Sequence, residues 1–501
     1  MLFNSLQFLL FFSTVTLLYF SVQWRARWAL LLLASCYFYM VFQPAYILIL
    51  FLTIVIDYGA GLWIERTTGK TRRWLLIISL ISNLGILAFF KYLGFFTETL
   101  TWFFQQVHLP GLADAIAHVA NRVFVGVLHV FGESGITSLK DPKTILPIGL
   151  SFHTFQAMSY TIEVYRGNQR AERHFGIYAL YVMFYPQLVA GPIERPQNVL
   201  HQFHENHPYT FENVKAGLMQ MAFGFFKKCV IADRLGMVVD AAYANPAEQN
   251  GLTLLVATFF YTFQIYCDFS GYSDIAIGAA RVMGFDLMQN FRTPYIAQSI
   301  TDFWRRWHIS LSTWFRDYLY IPLGGNRKGE ARRNLNQLLV FLASGLWHGA
   351  NWTYIIWGGL HGVYQVLAGL RDKHLPGLRL RASETANPVL KTGVAGLHIG
   401  FTFALVMLTW VFFRARTVGD AGLILGRIFT LSPADTIKTP LNGLEMAFSV
   451  GLIAFLLLKE QLYLTIPTRN TARFYALFGL IAFLTYLFGV FTSNQFIYFQ
   501  F

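Results

Sequence analysis

His348 stands in Ser344-Gly345-Leu346-Trp347-His348-Gly349-Ala350-Asn351-Trp352, where its residue type and position suit proton transfer inside a membrane. The apolar run 335–347 before it has 13 residues, roughly 20 Å of helix at 1.5 Å per residue. The preceding stretch, 302–333, has seven Lys or Arg against three Asp or Glu, so it should face the cytoplasm. Entering from that side, the run carries His348 past the middle of a roughly 30 Å hydrocarbon core. An ionisable residue at that depth is costly and points to function. An imidazole can take the proton of an attacking hydroxyl near neutral pH, which makes general base the expected role. The plainer alternative is a neutral histidine bonded to a backbone carbonyl.

His308, in Trp304-Arg305-Arg306-Trp307-His308-Ile309-Ser310, is a second candidate. It could equally be a structural partner of its Trp and Arg neighbours. His361, in Trp357-Gly358-Gly359-Leu360-His361-Gly362, reads as packing. His201, His204 and His207 recur at every third position near Glu194 and Glu205, but no fourth ligand stands out, and no metal site is expected. Thr67-Thr68-Gly69-Lys70-Thr71 ends like a phosphate loop, with Gly61 at the wrong spacing before it. Asp268, Asp274 and Asp286 surround Phe269-Ser270-Gly271-Tyr272-Ser273 with no obvious cation, and suit either a water-filled path or a helix end. The tail Phe496-Ile497-Tyr498-Phe499-Gln500-Phe501 is too apolar to be solvated and should dock into the protein. From its residue types alone, Tyr498 reads as an interfacial aromatic anchor.

The elements that must hold these residues are membrane helices. Hydrophobic residues make up 55% of the 501 and charged residues 13%, against about 25% charged in a soluble domain. That leaves too little polar surface for a water-soluble globule, and it excludes disorder, coiled coil and collagen. The net charge of +13 is spread in short clusters between apolar runs, which is the positive-inside pattern and not a nucleic-acid surface. Cys36, Cys229 and Cys267 have neither metal nor redox spacing. No Lys or Arg precedes the first apolar run, while Arg25 and Arg27 follow it. The chain is therefore expected to start outside, with no cleaved signal.

Apolar segments recur along the chain, among them 74–90, 92–107, 252–267, 272–285, 335–347, 352–369 and 474–491. Several are shorter than the roughly 20 residues of a full span. The expectation is an all-α polytopic bundle, residues 1–501 in a single domain, with about eleven to thirteen membrane segments. Some of these would be re-entrant around a central cavity. Residues 108–144 read as a long loop with an amphipathic surface helix near 112–131. Segments 335–347 and 352–369 read as two short helices meeting at His348.

Several stretches resemble the membrane-bound O-acyltransferase (MBOAT) family, in its bacterial alginate O-acetylation branch. They are Trp307-His308-Ile309-Ser310-Leu311-Ser312, Trp314-Phe315-Arg316-Asp317-Tyr318, Ile321-Pro322-Leu323-Gly324-Gly325-Asn326 and Gly345-Leu346-Trp347-His348-Gly349-Ala350. Pro147-Ile148-Gly149-Leu150-Ser151-Phe152, Ala190-Gly191-Pro192-Ile193 and Asp268-Phe269-Ser270-Gly271-Tyr272 fit as well. The resemblance implies a multi-pass bundle of the bacterial inner membrane with a funnel or tunnel, and O-acylation of an envelope polymer such as alginate, cellulose or peptidoglycan. The family's histidine falls on His348 and its second polar position on His308. Residues 494–501 look like an aromatic motif that, in a related teichoic acid system, ends a small partner protein and carries an acyl-accepting tyrosine. That raises Tyr498 from anchor to acceptor.

Together these assignments imply an acyl relay. A cytoplasmic thioester, acetyl-CoA by the resemblance, would sit with Arg305, Arg306 and Arg316 near its phosphates and Trp347 and Asn351 beside the reacting group. His348 would act as base and Tyr498 as acceptor. A periplasmic partner protein would take the acyl group onward. No bound cofactor and no nucleic acid are expected, and the remaining partner is membrane lipid. A transporter or flippase, or a scaffold of a polymer-secretion complex, are the rival readings.

Overall fold

The computed structural model describes residues 1–131, 136–139, 147–189, 191–374, 388–462, 471–491 and 496–497. Those residues form helices, with no strand among them. Among the described residues, six helices are long and apolar enough to cross a membrane: Pro44–Arg66, Gly69–Gln106, Pro110–Val130, Gly251–Val282, Val389–Arg414 and Thr471–Phe488. The chain is a multi-pass helical membrane protein.

Three boundaries differ from the sequence expectation, each for a local reason. Segments 74–90 and 92–107 are one helix, Gly69–Gln106, which continues through a π-helical turn at Ala88–Tyr92. Segments 252–267 and 272–285 are one 32-residue helix, Gly251–Val282, because Asp268 and Ser270 are bonded to lysines of a neighbouring segment and do not interrupt the turn. Residues 110–130 form a helix apolar enough to span, since Asp114 and Arg122 are its only Asp, Glu, Lys or Arg. Other segments are too short or too polar to cross alone. Phe175–Met183, for example, ends ahead of Pro186, whose ring occupies the start of the next short turn.

Backbone contacts divide the chain into two units. The first is Met1–Val214 with Ala279–Leu287. Its interior holds Asp57, fully buried, which accepts from Ser79 Oγ at 2.6 Å and Asn83 Nδ2 at 2.7 Å. Ser79 Oγ also donates to Thr161 Oγ1 at 3.0 Å, so three helices are joined by one polar network.

The second unit is Lys215–Gly278 with Met288–Phe501, and it contains the candidate histidines. Helices Glu330–His348 and Trp352–His374 form an antiparallel pair, 19 and 23 residues long, the first extended beyond its apolar run by a polar first turn and the second by a polar last turn. They cross where Gly345 meets Gly358. A Cβ on Gly358 would sit 2.2 Å from the Phe341 carbonyl oxygen, and one on Gly345 would sit 2.3 Å from that of Tyr354. Only glycine allows this backbone approach, as small residues do at helix crossings in lipid.

Gly358→Ala should therefore cost about 1–3 kcal/mol of stability through forced separation of the pair. Gly359→Ala should be nearly neutral, because a Cβ there meets only Leu342 Cδ2 at 3.4 Å. Thermal midpoints of the detergent-solubilised protein check this, and equal midpoints for the two variants would remove the crossing from the account.

Candidate functional site

His308 lies between two short helices, Ile300–Arg306 and Ile309–Phe315, at the N-cap of the second. Its backbone is left-handed, φ 43° and ψ 56°. For a non-glycine residue this costs of order 1–3 kcal/mol and persists only where the surroundings impose it. Asn290 imposes it here. Its carbonyl accepts from the Ile309 N–H at 2.8 Å, and its Oδ1 accepts from Ser310 Oγ at 2.6 Å. Its own Nδ2 donates to Ser273 Oγ at 3.2 Å. Two residues further on, the Arg292 N–H donates to the Arg306 carbonyl at 2.9 Å. The histidine ring is thereby aimed by backbone bonds on both sides of it.

His348 is the last residue of its helix and is 3% exposed. Its ring packs against Trp347, Trp357 and Phe413 at centroid distances of 4.9, 5.0 and 5.3 Å. The ring of His308, itself fully buried, is 6.4 Å away. Phe269 packs edge-on against His308 at 4.7 Å. Two histidines forty residues apart in sequence thus share one aromatic enclosure. Water is largely excluded from such a box, which strengthens any electrostatic interaction made inside it.

His361 differs in kind. Its Nδ1 accepts from Trp304 Nε1 at 3.3 Å, so its proton is on Nε2, which donates to Thr409 Oγ1 at 3.0 Å. Thr409 in turn donates to the Val406 carbonyl at 2.7 Å. With both ring nitrogens committed, His361 holds three helices together.

Of the other expected site residues, Trp347 is buried beside both histidines. Asn351 sits at the start of helix Trp352–His374, accepting from the Thr353 N–H at 3.0 Å and donating to the Arg416 carbonyl at 3.1 Å. Arg305 is exposed. Arg306 donates to Asp302 at 2.8 Å and to Thr293 at 3.1 Å. Arg316 is exposed and pairs with Asp317 at 2.8 Å. Tyr498 lies outside the described residues. Phe496 and Ile497 ahead of it are buried, with Phe496 packed on Tyr272 and Phe269.

Two of the three aspartates that lacked a visible cation have one, and the third, Asp286, is exposed. Asp268 pairs with Lys228, and Asp274 pairs with Lys227 at 2.5 Å. The signal was present as Lys227-Lys228 inside an otherwise apolar run, two charges that the run could bury only if paired. His201, His204 and His207 turn to different partners: Glu205, Glu172 and the Gln202 carbonyl.

The sequence is similar to those of several known proteins. The sequence pattern of MBOAT, the membrane-bound O-acyltransferase family, matches residues 168–383. A probable alginate O-acetylase of Pseudomonas putida is 38% identical over 465 residues, 91% of this chain and 86% of that one. A peptidoglycan O-acetyltransferase of Helicobacter pylori is 35% identical over 462 residues, 85% and 79% of the two chains. A teichoic acid D-alanyltransferase of Streptococcus thermophilus is 32% identical over 282 residues, 53% of this chain and 68% of that one.

His361→Leu should leave the Trp304 N–H and the Thr409 hydroxyl without their partner, at about 1–3 kcal/mol each for a buried polar group. The expected reading is a clear drop in thermal midpoint. A midpoint equal to wild type would mean that His361 is not structural.

Proposed function

The chain belongs to the membrane-bound O-acyltransferase family, and on that premise we propose that it relays an acetyl group from a cytoplasmic thioester to a polymer outside the bacterial inner membrane. The family membership makes it an O-acyltransferase, and no transporter reading is favoured beside it. The substrate would be an envelope polysaccharide of the kind named for its relatives, alginate or peptidoglycan. The observation that carries the site assignment is the shared enclosure of His308 and His348, with rings 6.4 Å apart and both buried.

In the first step an imidazole nitrogen of His348 takes the proton of the Tyr498 hydroxyl. The phenolic oxygen forms a bond to the thioester carbonyl carbon, and the carbon–sulfur bond breaks. The departing thiolate receives the proton held by His348, so that acetyl-CoA and tyrosine give acetyl-tyrosine and CoA thiol. In the second step the acetyl group leaves the phenol oxygen for a hydroxyl of a periplasmic partner protein, which modifies the polymer. A phenol, with an ordinary pKa of about 10, departs more readily than an alkyl alcohol, so transfer onward runs downhill. His308 supports the base across the enclosure. Arg305 and Arg316, on exposed faces, suit the phosphates of the donor. What supports Tyr498 as acceptor is the burial of Phe496 and Ile497, with Phe496 touching Phe269, the ring that packs on His308.

The test incubates the purified protein with isotope-labelled acetyl-CoA and reads the C-terminal peptide by mass spectrometry. Label is expected on Tyr498 in the wild type and in neither Tyr498→Phe nor His348→Ala. His348→Gln should slow its appearance about 10²–10⁴-fold, the usual share of a general base. Wild type that consumes donor without labelling the peptide would rule out the covalent relay.

His308→Asn separates chemistry from fold, since asparagine tolerates the left-handed backbone while removing the imidazole. The variant should keep its thermal midpoint and lose most of its transfer rate. Transfer at the wild-type rate would take His308 out of the reaction.

A further inference from the structure

The segment ahead of Tyr498 is held by contacts that converge on helix Gly251–Val282. The Ile497 N–H donates to Asp268 Oδ2 at 2.7 Å. The Phe496 ring lies on that of Tyr272, centroids 4.3 Å apart and planes 25° from parallel, and it touches Phe269 at 5.7 Å. Phe269 is the ring that packs on His308.

The carboxylate that accepts from Ile497 is itself fixed. Asp268 pairs with Lys228, which also donates to Asp233 at 2.8 Å. Lys228 belongs to the π-helical stretch Phe226–Ala232. The wider π turn lets two successive lysines reach into the protein, Lys228 to Asp268 and Lys227 to Ser270 Oγ at 2.9 Å. The same stretch receives the chain before the latch, since the Val490 N–H donates to the Cys229 carbonyl at 2.9 Å.

A carboxylate inside a membrane helix is expensive even when paired. Joining helices does not require one to be ion-paired, because in the first unit Asp57 is satisfied by a serine and an asparagine. What Asp268 adds is a charged acceptor for one main-chain N–H beyond helix Thr471–Phe488. A hydrogen bond to a charged acceptor is roughly twice as strong as a neutral one. Tyr498 follows Ile497 directly in the sequence, one Cα–Cα step of about 3.8 Å along the chain.

We propose that Asp268, ion-paired to Lys228, is a positioning residue that latches the Phe496–Ile497 segment beside the histidine pair and so presents Tyr498 to the acyl donor. The proposal rests on the reading of Tyr498 as acceptor. The latch has two parts, the charge-assisted bond to the Ile497 amide and the stack of Phe496 on Tyr272. As a positioning residue, Asp268 acts on how often the tyrosine is in place and not on how tightly the donor binds.

The experiment uses the full chain in detergent with two substitutions. Asp268→Asn removes the charge, and Ile497→Pro leaves Asp268 and Lys228 in place while removing the N–H that donates, together with the buried Ile497 side chain. Hydrogen–deuterium exchange of the C-terminal peptide and the initial rate of Tyr498 acetylation from labelled acetyl-CoA are measured on each. The expected result is exchange in that peptide faster by about tenfold or more, the worth of a hydrogen bond to a charged group. Acetylation should show a comparably lower kcat with an unchanged KM for the donor. Wild-type exchange in both variants would overturn the latch, whatever the rate. A raised KM with unchanged kcat would overturn it too, by moving Asp268 to donor binding. Should wild type acquire no label, the acceptor reading fails, while exchange still decides whether the latch exists. Should Asp268→Asn not fold, Ile497→Pro decides alone, since it lies outside the long helices.

Discussion

The absence of water in the bilayer core governs this structure. A polar group there has no solvent to fall back on, and leaving it unpaired costs several kcal/mol. Each polar side chain that the chemistry needs must therefore arrive with a partner from another helix, and the helices must approach closely enough for the bond to form. The Gly345–Gly358 crossing is such an approach, with backbone atoms where a Cβ would otherwise stand. Near Asp268 the same device recurs, because a Cβ on Gly271 would lie 2.8 Å from the Gly224 carbonyl oxygen. Without that closeness, Lys228 and Asp268 could not share one ion pair.

Polar satisfaction also explains the place of His361 among the three histidines of one aromatic cluster. His361 has a donor at one nitrogen and an acceptor oxygen at the other, which fixes its tautomer. It cannot accept a second proton without losing the Trp304 bond. His308 and His348 have rings as their near neighbours, Phe269 on one side and Trp347, Trp357 and Phe413 on the other. The left-handed backbone at His308 adds a second form of positioning, held by Asn290 at a cost in conformational energy.

Much of this was legible in the sequence, and the exceptions share one cause. Composition alone pointed to a polytopic membrane protein. The meeting of two helices at His348 came from the length of the apolar run 335–347, and the packing role of His361 from its place within a helical face. Helix continuity was not legible at residues 252–285. Asp268, Ser270 and Gly271 read as a break because their partners, Lys227 and Lys228, lie some forty residues upstream in an unrelated run. The π turns at Ala88–Tyr92 and Phe226–Ala232 have no hydrophobic period to announce them. Asn290 was missed as well, since its bonds to Ile309, Ser310 and Ser273 follow from the fold and not from a local pattern.

A single sequence conceals which polar residue answers which. Types and depths can be read from spacing, because a membrane has a known thickness and a helix a known rise. Pairings cannot, because they depend on where helices cross. His348 could be found by depth alone, as a titratable residue with no neighbour of opposite charge in its own run. Asp268 could not, because its meaning depends on two distant groups, the Lys228 ammonium and the amide of Ile497. A carboxylate that serves a cation and a main-chain N–H at once ties the interior of the bundle to the segment that carries Tyr498. The energetic cost of burying its charge is then offset at both ends of that tie, by the ion pair on one side and by an ordered chain on the other.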